Sequence, residues 1–348
     1  LKVSNYDEQF DYEIKIENNE VGSVLNGGEI KLNTILCDKV LDLKITAKKV
    51  GFINSDEATF KIYKPNSMKL SLNGENLVVT PARLNGFDSN IENKFVLETI
   101  KQVGNKISYE ITKGADGYYI NGTNAGVNSI SIDLSSLNAG EYEFKLTAIN
   151  ENRNGAFFVN SDQKTISITK LKEPTLSLKN GVLELKTNNP NSNVLITIGE
   201  KTKQVSSDYI FDFETDWNSI SAGEISIKVV ANPTSINILK SNENSKSFTL
   251  LEKPNIYISN GELKIDNSNS TIFIDENNKG LFSALNFNFE NGKTYGMQAF
   301  ANGDNGTKIS SRKSDVFTAN VLSDVQNIEF DGGVLTWNEL NGASKYLV

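Results

Sequence analysis

The chain has 348 residues, 38 % of them hydrophobic, with 35 Lys and Arg against 43 Asp and Glu and no histidine. A net charge of −8 without any run of Lys or Arg argues against nucleic-acid binding, which needs clustered cations on phosphates. With no His and only Cys37 as a thiol, zinc sites, Ser-His-Asp and Cys-His nucleophile arrangements and internal disulfides are excluded.

Leu1-Lys-Val3 and Ile14-Lys-Ile16 align without a gap on Leu183-Glu-Leu185 and Ile196-Thr-Ile198. The alignment predicts that residues 1–63 are a partial β-sandwich whose first strand is missing. Cys37, in Ile35-Leu36-Cys37, reads as a small buried hydrophobe. Val40-Leu-Asp-Leu-Lys-Ile-Thr-Ala47 alternates as a strand and, after a polar loop, Ala58–Tyr63 closes the unit.

A phrase then recurs four times: Leu70-Ser-Leu-Asn-Gly-Glu-Asn-Leu-Val-Val79, Leu176–Leu185, Ile256–Ile265 and Ile328–Trp337. Apolar-x-apolar, a turn built on Asn-Gly or Asp-Gly, and apolar-x-apolar again predict a strand-turn-strand. Pro65, Pro174 and Pro254 stand ahead of three copies and mark domain joints, since proline cannot extend the preceding ladder. A second phrase, Ala139–Ala148, Ala222–Ala231 and Asn291–Phe300, supplies a long late strand. The closing strands follow at Lys164–Thr169, Lys246–Leu250 and Asp315–Ala319. Units this long suit separate small domains rather than a solenoid. The expected division is 64–171 with an insertion at 82–105, then 172–252, 253–320, and the start of a further sandwich at 321–348.

Inside that insertion, Ser89-Asn-Ile-Glu92 has capping-box spacing, and Ile91, Phe95, Ile100 and Val103 recur at helical intervals. They predict a short helix over 90–102, with a strand over Phe95–Ile100 as the alternative. Ile91 and Phe95 become candidate partner contacts, because loops on a rigid scaffold carry recognition. In the third unit Asp208, Asp212, Glu214 and Asp216 read as one acidic strand, where residues two apart share a face and form a candidate Ca²⁺ site. A solvated acidic face is the plainer reading. Asp266–Ser270 and Asp275–Asn278 add oxygen ligands without calcium-loop order. Tyr209 and Trp217, flanking the acidic run, are the aromatics expected to contact a partner unless they are core. Ser161-Asp-Gln-Lys164 and Ser310-Ser-Arg-Lys313 have Ser-x-x-Lys spacing but sit in loops entering a strand, so no catalytic residue is assigned and the chain reads as a non-enzyme.

The last unit, Gly333-Val-Leu-Thr-Trp337 through Ala343-Ser-Lys-Tyr346, resembles the opening of a fibronectin type III domain. Trp337 matches that family's core Trp and Tyr346 the tyrosine of its third strand. Tyr142 and Tyr295 sit where its corner tyrosine stands, whereas Ile225 replaces it in the third unit. The resemblance implies seven-stranded, two-sheet sandwiches; a related immunoglobulin-like topology stays open. Phe95-Val-Leu-Glu-Thr99 resembles the glutamate motif of isopeptide-forming adhesin domains, although the downstream Pro-x-Gly-Tyr is missing.

The expectation is therefore an all-β linear array of tandem fibronectin type III-like or immunoglobulin-like sandwiches with one short helical insertion. Its expected role is an extracellular, bacterial-surface spacer or stalk. The alternatives are an adhesin or glycan-binding array, or accessory domains of a secreted enzyme. No cofactor beyond possible Ca²⁺ is expected. The expected partners are neighbouring domains, copies of the chain in a surface assembly, or a host or glycan ligand. No membrane insertion is expected, because no apolar run approaches the roughly 18 residues of a span.

Overall fold

A computed structural model describes residues 6–17, 19–23, 40–63, 68–81, 94–114, 116–149, 156–158 and 163–346. They form two compact units, Leu1–Lys172 with Pro233–Asn242, and Glu173–Asn232 with Glu243–Val348. Nearly every element is a strand, and the described residues contain no helix beyond one short 3₁₀ turn, Phe282–Ala284.

The first unit opens with β1 (Asp11–Ile16), β2 (Asn19–Ser23), β3 (Val40–Lys48) and β4 (Ala58–Tyr63), an antiparallel run in the order β4-β3-β1-β2. Ile14, Ile16, Leu41, Leu43 and Ile62 are buried. This is the period-two pattern of strands packed on one face.

Next come β5 (Lys69–Asn73), β6 (Asn76–Thr80), β7 (Lys94–Lys101), β8 (Ser108–Lys113), β9 (Tyr118–Ile120), β10 (Thr123–Gly126), β11 (Ile130–Asp133), β12 (Gly140–Ile149), β13 (Ala156–Phe158) and β14 (Lys164–Lys170). A three-stranded sheet, β11-β6-β5, faces a larger one, β10-β9-β8-β7-β12-β14. Leu77, Val79, Ile130 and Ile132 of the first share a buried core with Phe95, Leu97, Ile111, Phe144, Leu146 and Ile168 of the second. That is a β-sandwich.

The helix predicted over 90–102 is a strand where it is described. Phe95, Leu97 and Thr99 are buried in strict alternation along β7, while Ile100 and Val103 are exposed. The 3.6-residue spacing of Ile100 and Val103 was thus coincidental, and Phe95 pairs with Ile111 and Ala148 on the two flanking strands. Ile91 lies outside the described residues, as do Cys37 and Pro65.

The second unit contains β15 (Thr175–Lys179), β16 (Val182–Lys186), β17 (Ser192–Ile198), β18 (Lys201–Val205), β19 (Tyr209–Ile210) and β20 (Gly223–Pro233). The two-residue β21 (Ile238–Leu239) that follows belongs to the first unit. The second then resumes with β22 (Asn244–Leu250), β23 (Ile256–Ser259), β24 (Glu262–Ile265), β25 (Ser270–Ile274), β26 (Asn277–Leu281), β27 (Thr294–Ala301), β28 (Lys308–Ile309), β29 (Phe317–Asn320), β30 (Glu329–Asp331) and β31 (Val334–Thr336). Sheet β15-β16-β19 accompanies sheet β18-β17-β20-β22-β28, and pair β23-β24 accompanies sheet β26-β25-β27-β29. In the latter, Ile256, Ile274, Tyr295, Met297 and Ala319 bury a core with Leu263, Phe287 and Phe289 packed on it.

All four repeated phrases are hairpins: β5-β6, β15-β16, β23-β24 and β30-β31. Their turns need left-handed backbone, which Asn and Gly supply: Asn180 and Gly181 sit at φ +49° and +75°, Asn260 and Gly261 at +53° and +75°.

Candidate functional site

The feature that recurs is a clasp. After the long late strand of a repeat, the chain runs out in a loop, and a short piece of that loop pairs in parallel with the closing strand of the repeat before it. β13 pairs with β4 (Phe157↔Ile62), β21 with β14 (Thr169↔Ile238) and β28 with β22 (Thr249↔Lys308). Two of these joints have the same bonds. Thr169 and Leu171 donate N–H to the carbonyls of Asn237 and Leu239, each at 3.1 Å. Thr249 and Leu251 donate to Thr307 and Ile309 at 2.8 and 3.1 Å.

The β21 and β28 clasps each carry one apolar knob. Leu239 is fully buried in the first unit's core and Ile309 is 2 % exposed. Burying such a side chain is worth about 1.5–3 kcal/mol. A serine two residues after the knob ties down the loop. Ser311 Oγ accepts the Ala301 N–H at 2.8 Å and donates to the Arg312 carbonyl, while Ser241 Oγ donates to Asn242. The same serine, Ser55, accepts the Ala47 N–H at 2.9 Å and donates to Asp56 in the loop after β3.

The clasp also grips the hairpin turn of the repeat it holds. Gly181 N–H donates to Asp304 O at 2.8 Å, Ser310 N–H returns a bond to Gly181 O at 2.9 Å, and Asn180 N–H reaches Asn305 Oδ1. A Cβ on Gly181 would meet Gly303 Cα at 2.8 Å, and one on Gly303 would meet Gly181 Cα at 2.6 Å, so both positions require glycine. Asp304 holds the loop shape by accepting N–H bonds from Gly306, Thr307 and Lys308 at 2.8, 2.9 and 2.9 Å. Those bonds, led by the one from Lys308, keep its carboxyl below the usual range. In the first unit the turn contact is ionic: Lys240, next to the knob, pairs with Glu75 at 2.8 Å.

No family model and no curated protein matches the chain. Among solved structures, it is similar to a crystal structure of chicken CNTN1 FN1-FN3 domains. The identity is 12 %, over 69 % of this chain and 91 % of that one, with a TM-score of 0.23. The all-β sandwich architecture stands on the sheets and cores themselves.

The sequence-nominated residues do not converge. The acidic run is not one strand: β19 ends at Ile210 and residues 213–219 form turns. Asp208 Oδ1 accepts the Thr187 N–H at 2.9 Å. Asp212 caps its own turn, accepting from Glu214 N–H at 2.8 Å and from the Thr215 hydroxyl at 2.7 Å. Glu214 accepts the Lys313 N–H, and Asp216 takes the Tyr209 hydroxyl at 2.6 Å and pairs with Lys203. Among the described residues no acidic group is placed to hold a metal ion, and the candidate Ca²⁺ ligands Asp208, Asp212, Glu214 and Asp216 are instead engaged with separate protein partners.

Phe95 and Trp217, proposed as contacts, are each 2 % exposed. Trp217 stacks on Phe211 and donates Nε1–H to the half-buried Tyr209 hydroxyl at 3.0 Å. Phe211, Phe213 and Trp217 are buried between the exposed Asp212, Glu214 and Asp216, so the run is a core-anchored turn. Glu98 of the adhesin-like motif forms an ion pair with Lys106.

The Asp212 cap gives a pH prediction. The Thr215 hydroxyl, then the N–H groups of Thr215 and Glu214, hold this carboxyl below its ordinary value. A depressed carboxyl contributes stability above the unfolded-state value of about 3.9 and loses it as pH falls through the folded one. Asp212→Asn should remove part of the acid-side slope below about pH 4, measured as melting temperature against pH. An unchanged slope would refute the cap.

Proposed function

We propose that the chain is a non-catalytic array of fibronectin type III-like sandwiches, divided near 63, 171, 252 and 320, that serves as a spacer on a cell surface, as in bacterial stalks. The observation that carries this reading is the clasp between consecutive repeats, made three times with the same strand pairing. A linker of a few residues leaves neighbouring sandwiches free to swivel, whereas a second connection through a different loop restrains them. A spacer needs that restraint; an array of independent binding modules does not.

The fibronectin-like topology draws support from the corner tyrosines. Tyr142 donates its hydroxyl to the Asn138 carbonyl at 2.9 Å, and the Tyr295 hydroxyl accepts the Glu290 N–H at 3.0 Å. No helix among the described residues is long and apolar enough to cross a membrane.

Spin labels on β18 and β26, which lie in consecutive repeats, test the restraint by pulsed dipolar spectroscopy. A narrow distance distribution is expected, broadening severalfold in Ile309→Asp, where a carboxylate cannot be buried in the knob's seat. Equal widths in the two proteins would refute the spacer reading.

A further inference from the structure

Three Asn-Gly pairs meet where the clasp of β28 grips the turn between β15 and β16: Asn180-Gly181 in the turn, and Asn302-Gly303 and Asn305-Gly306 in the clasp loop. An Asn followed by Gly is open to self-modification, because glycine has no Cβ to keep its own amide nitrogen away from the Asn carboxamide. Once that nitrogen sheds its proton it can attack Asn Cγ and expel ammonia, closing a five-membered succinimide. Water then opens the ring at one carbonyl or the other, leaving aspartate or isoaspartate. Overall the chain exchanges one ammonia for one water.

In the closed clasp all three glycine nitrogens are spent. Gly181 N–H donates to the Asp304 carbonyl at 2.8 Å, Gly303 N–H to the Ser310 hydroxyl at 3.0 Å and Gly306 N–H to Asp304 Oδ1 at 2.8 Å. A nitrogen so placed cannot lose its proton without setting two lone pairs against each other. Beside Asp304 the new anion would also face a carboxylate. Access of water is not what protects these sites, since Asn180 and Asn305 are exposed. Asn73-Gly74, at the β5-β6 turn, is the contrast. Both residues are exposed, Gly74 N–H has no partner among the described residues, and nothing lies within 4 Å of where its Cβ would stand. The clasp of the first unit reaches that hairpin through Glu75 and leaves the Gly74 nitrogen free. Asn291-Gly292 is exposed too, but Gly292 N–H bonds the Val321 carbonyl at 3.1 Å, at the opposite end of β27 from the clasp.

We propose that Asn180, Asn302 and Asn305 are modification sites that clasp closure keeps silent, and that conversion at Asn180 prevents the joint from closing again. Isoaspartate puts an extra methylene into the backbone and moves Gly181, whose fit against Gly303 leaves no room for a Cβ on either residue. Each of the three sites is converted only while the clasp is open. Its rate is therefore the intrinsic Asn-Gly rate multiplied by the open fraction, as for an amide that exchanges its hydrogen through local opening. The joint keeps a covalent record of how long it has stood open. The inference rests on the clasp itself and not on its service as a spacer.

The full chain, aged in mildly alkaline buffer and mapped by peptide mass and isoaspartate content, tests this. Asn73 should convert at least about tenfold faster than Asn180, Asn302 and Asn305, the ratio for a clasp open a tenth of the time or less. Ile309→Asp should bring those three close to the Asn73 rate and leave Asn73 and Asn291 unchanged. Asn291 checks the fold, because a variant that unfolds its repeat would accelerate it as well. Ser310→Ala, which keeps the knob and frees only the Gly303 N–H, should accelerate Asn302 alone. Wild-type chain aged until Asn180 is isoaspartate should show the broad spin-label distribution of Ile309→Asp. Equal wild-type rates at Asn73 and the three joint sites overturn the inference, as do an unchanged Asn302 in Ser310→Ala or a narrow distribution in the aged chain. None of these outcomes touches the spin-label comparison of unaged proteins, so failure here is distinguishable from failure of the spacer reading.

Discussion

Replacing Glu75 by Ala should cost the first unit about 3 kcal/mol, while replacing Lys170, the cation it faces, by Met should cost less than about 1 kcal/mol. Lys170 ends β14 with its side chain 1 % exposed, donating to the Ser135 carbonyl at 2.8 Å and lying 3.6 Å from Glu75 Oε1. The second oxygen of Glu75 meets Lys240 of the clasp. Removing Glu75 strands a buried ammonium, whereas Lys170→Met removes the charge and keeps the apolar stem. Burial pushes the Lys170 pKa down and Glu75 pulls it part of the way back. Because the folded value lies below the ordinary lysine value, the unfolded chain binds more protons across the window between them. Stability of this unit should therefore climb as pH rises through that window, and Lys170→Met should abolish the climb. Hydrogen exchange at β5, β6 and β14 reads both effects. Equal costs for the two variants would refute the pairing.

Leu239→Ala should cost about 3 kcal/mol, within the range for a buried leucine, and the loss should appear in a part of the chain far from the mutation. Leu239 follows β20 in sequence, yet it belongs to the buried core that also holds Leu77, Phe144 and Ile168. Amides of β12 and β14 should lose protection, while those of β17 and β20 should keep it. Ile53→Ala at the equivalent exposed position should stay within about 0.5 kcal/mol of wild type. Loss of protection confined to β20 and β22 would mean that Leu239 serves its own repeat and not the preceding one.

The hairpins were legible because Asn-Gly pairs between alternating runs permit little else, and the closing strands followed from the same alternation. The clasps were not. A parallel pair of two residues leaves no periodicity in sequence, and Lys308-Ile309 or Ile238-Leu239 alone look like ordinary loop residues. The one available signal was the serine that ties each loop, visible only when the loops ending at Ser55, Ser241 and Ser311 are aligned with one another. The acidic run misled for a physical reason: Asp212 at the start of a turn bonds backbone N–H groups two and three residues on, which spends the oxygens that a cation would need. The helix was preferred over the strand alternative at Phe95–Ile100, which matches β7, because Ile100 and Val103 extended an apparent helical period beyond the strand's buried stretch.

The position of Leu239 also has a consequence for synthesis. A core that begins at Met68 and includes Leu239 cannot close until the ribosome has made most of the following repeat. A sandwich clasped in this way leaves the exit tunnel with an open edge and is finished by its successor, so maturation proceeds from the amino end in overlapping steps. Misfolding of a clasping repeat would leave the previous one unfinished, so quality control would meet two faulty domains for one broken one.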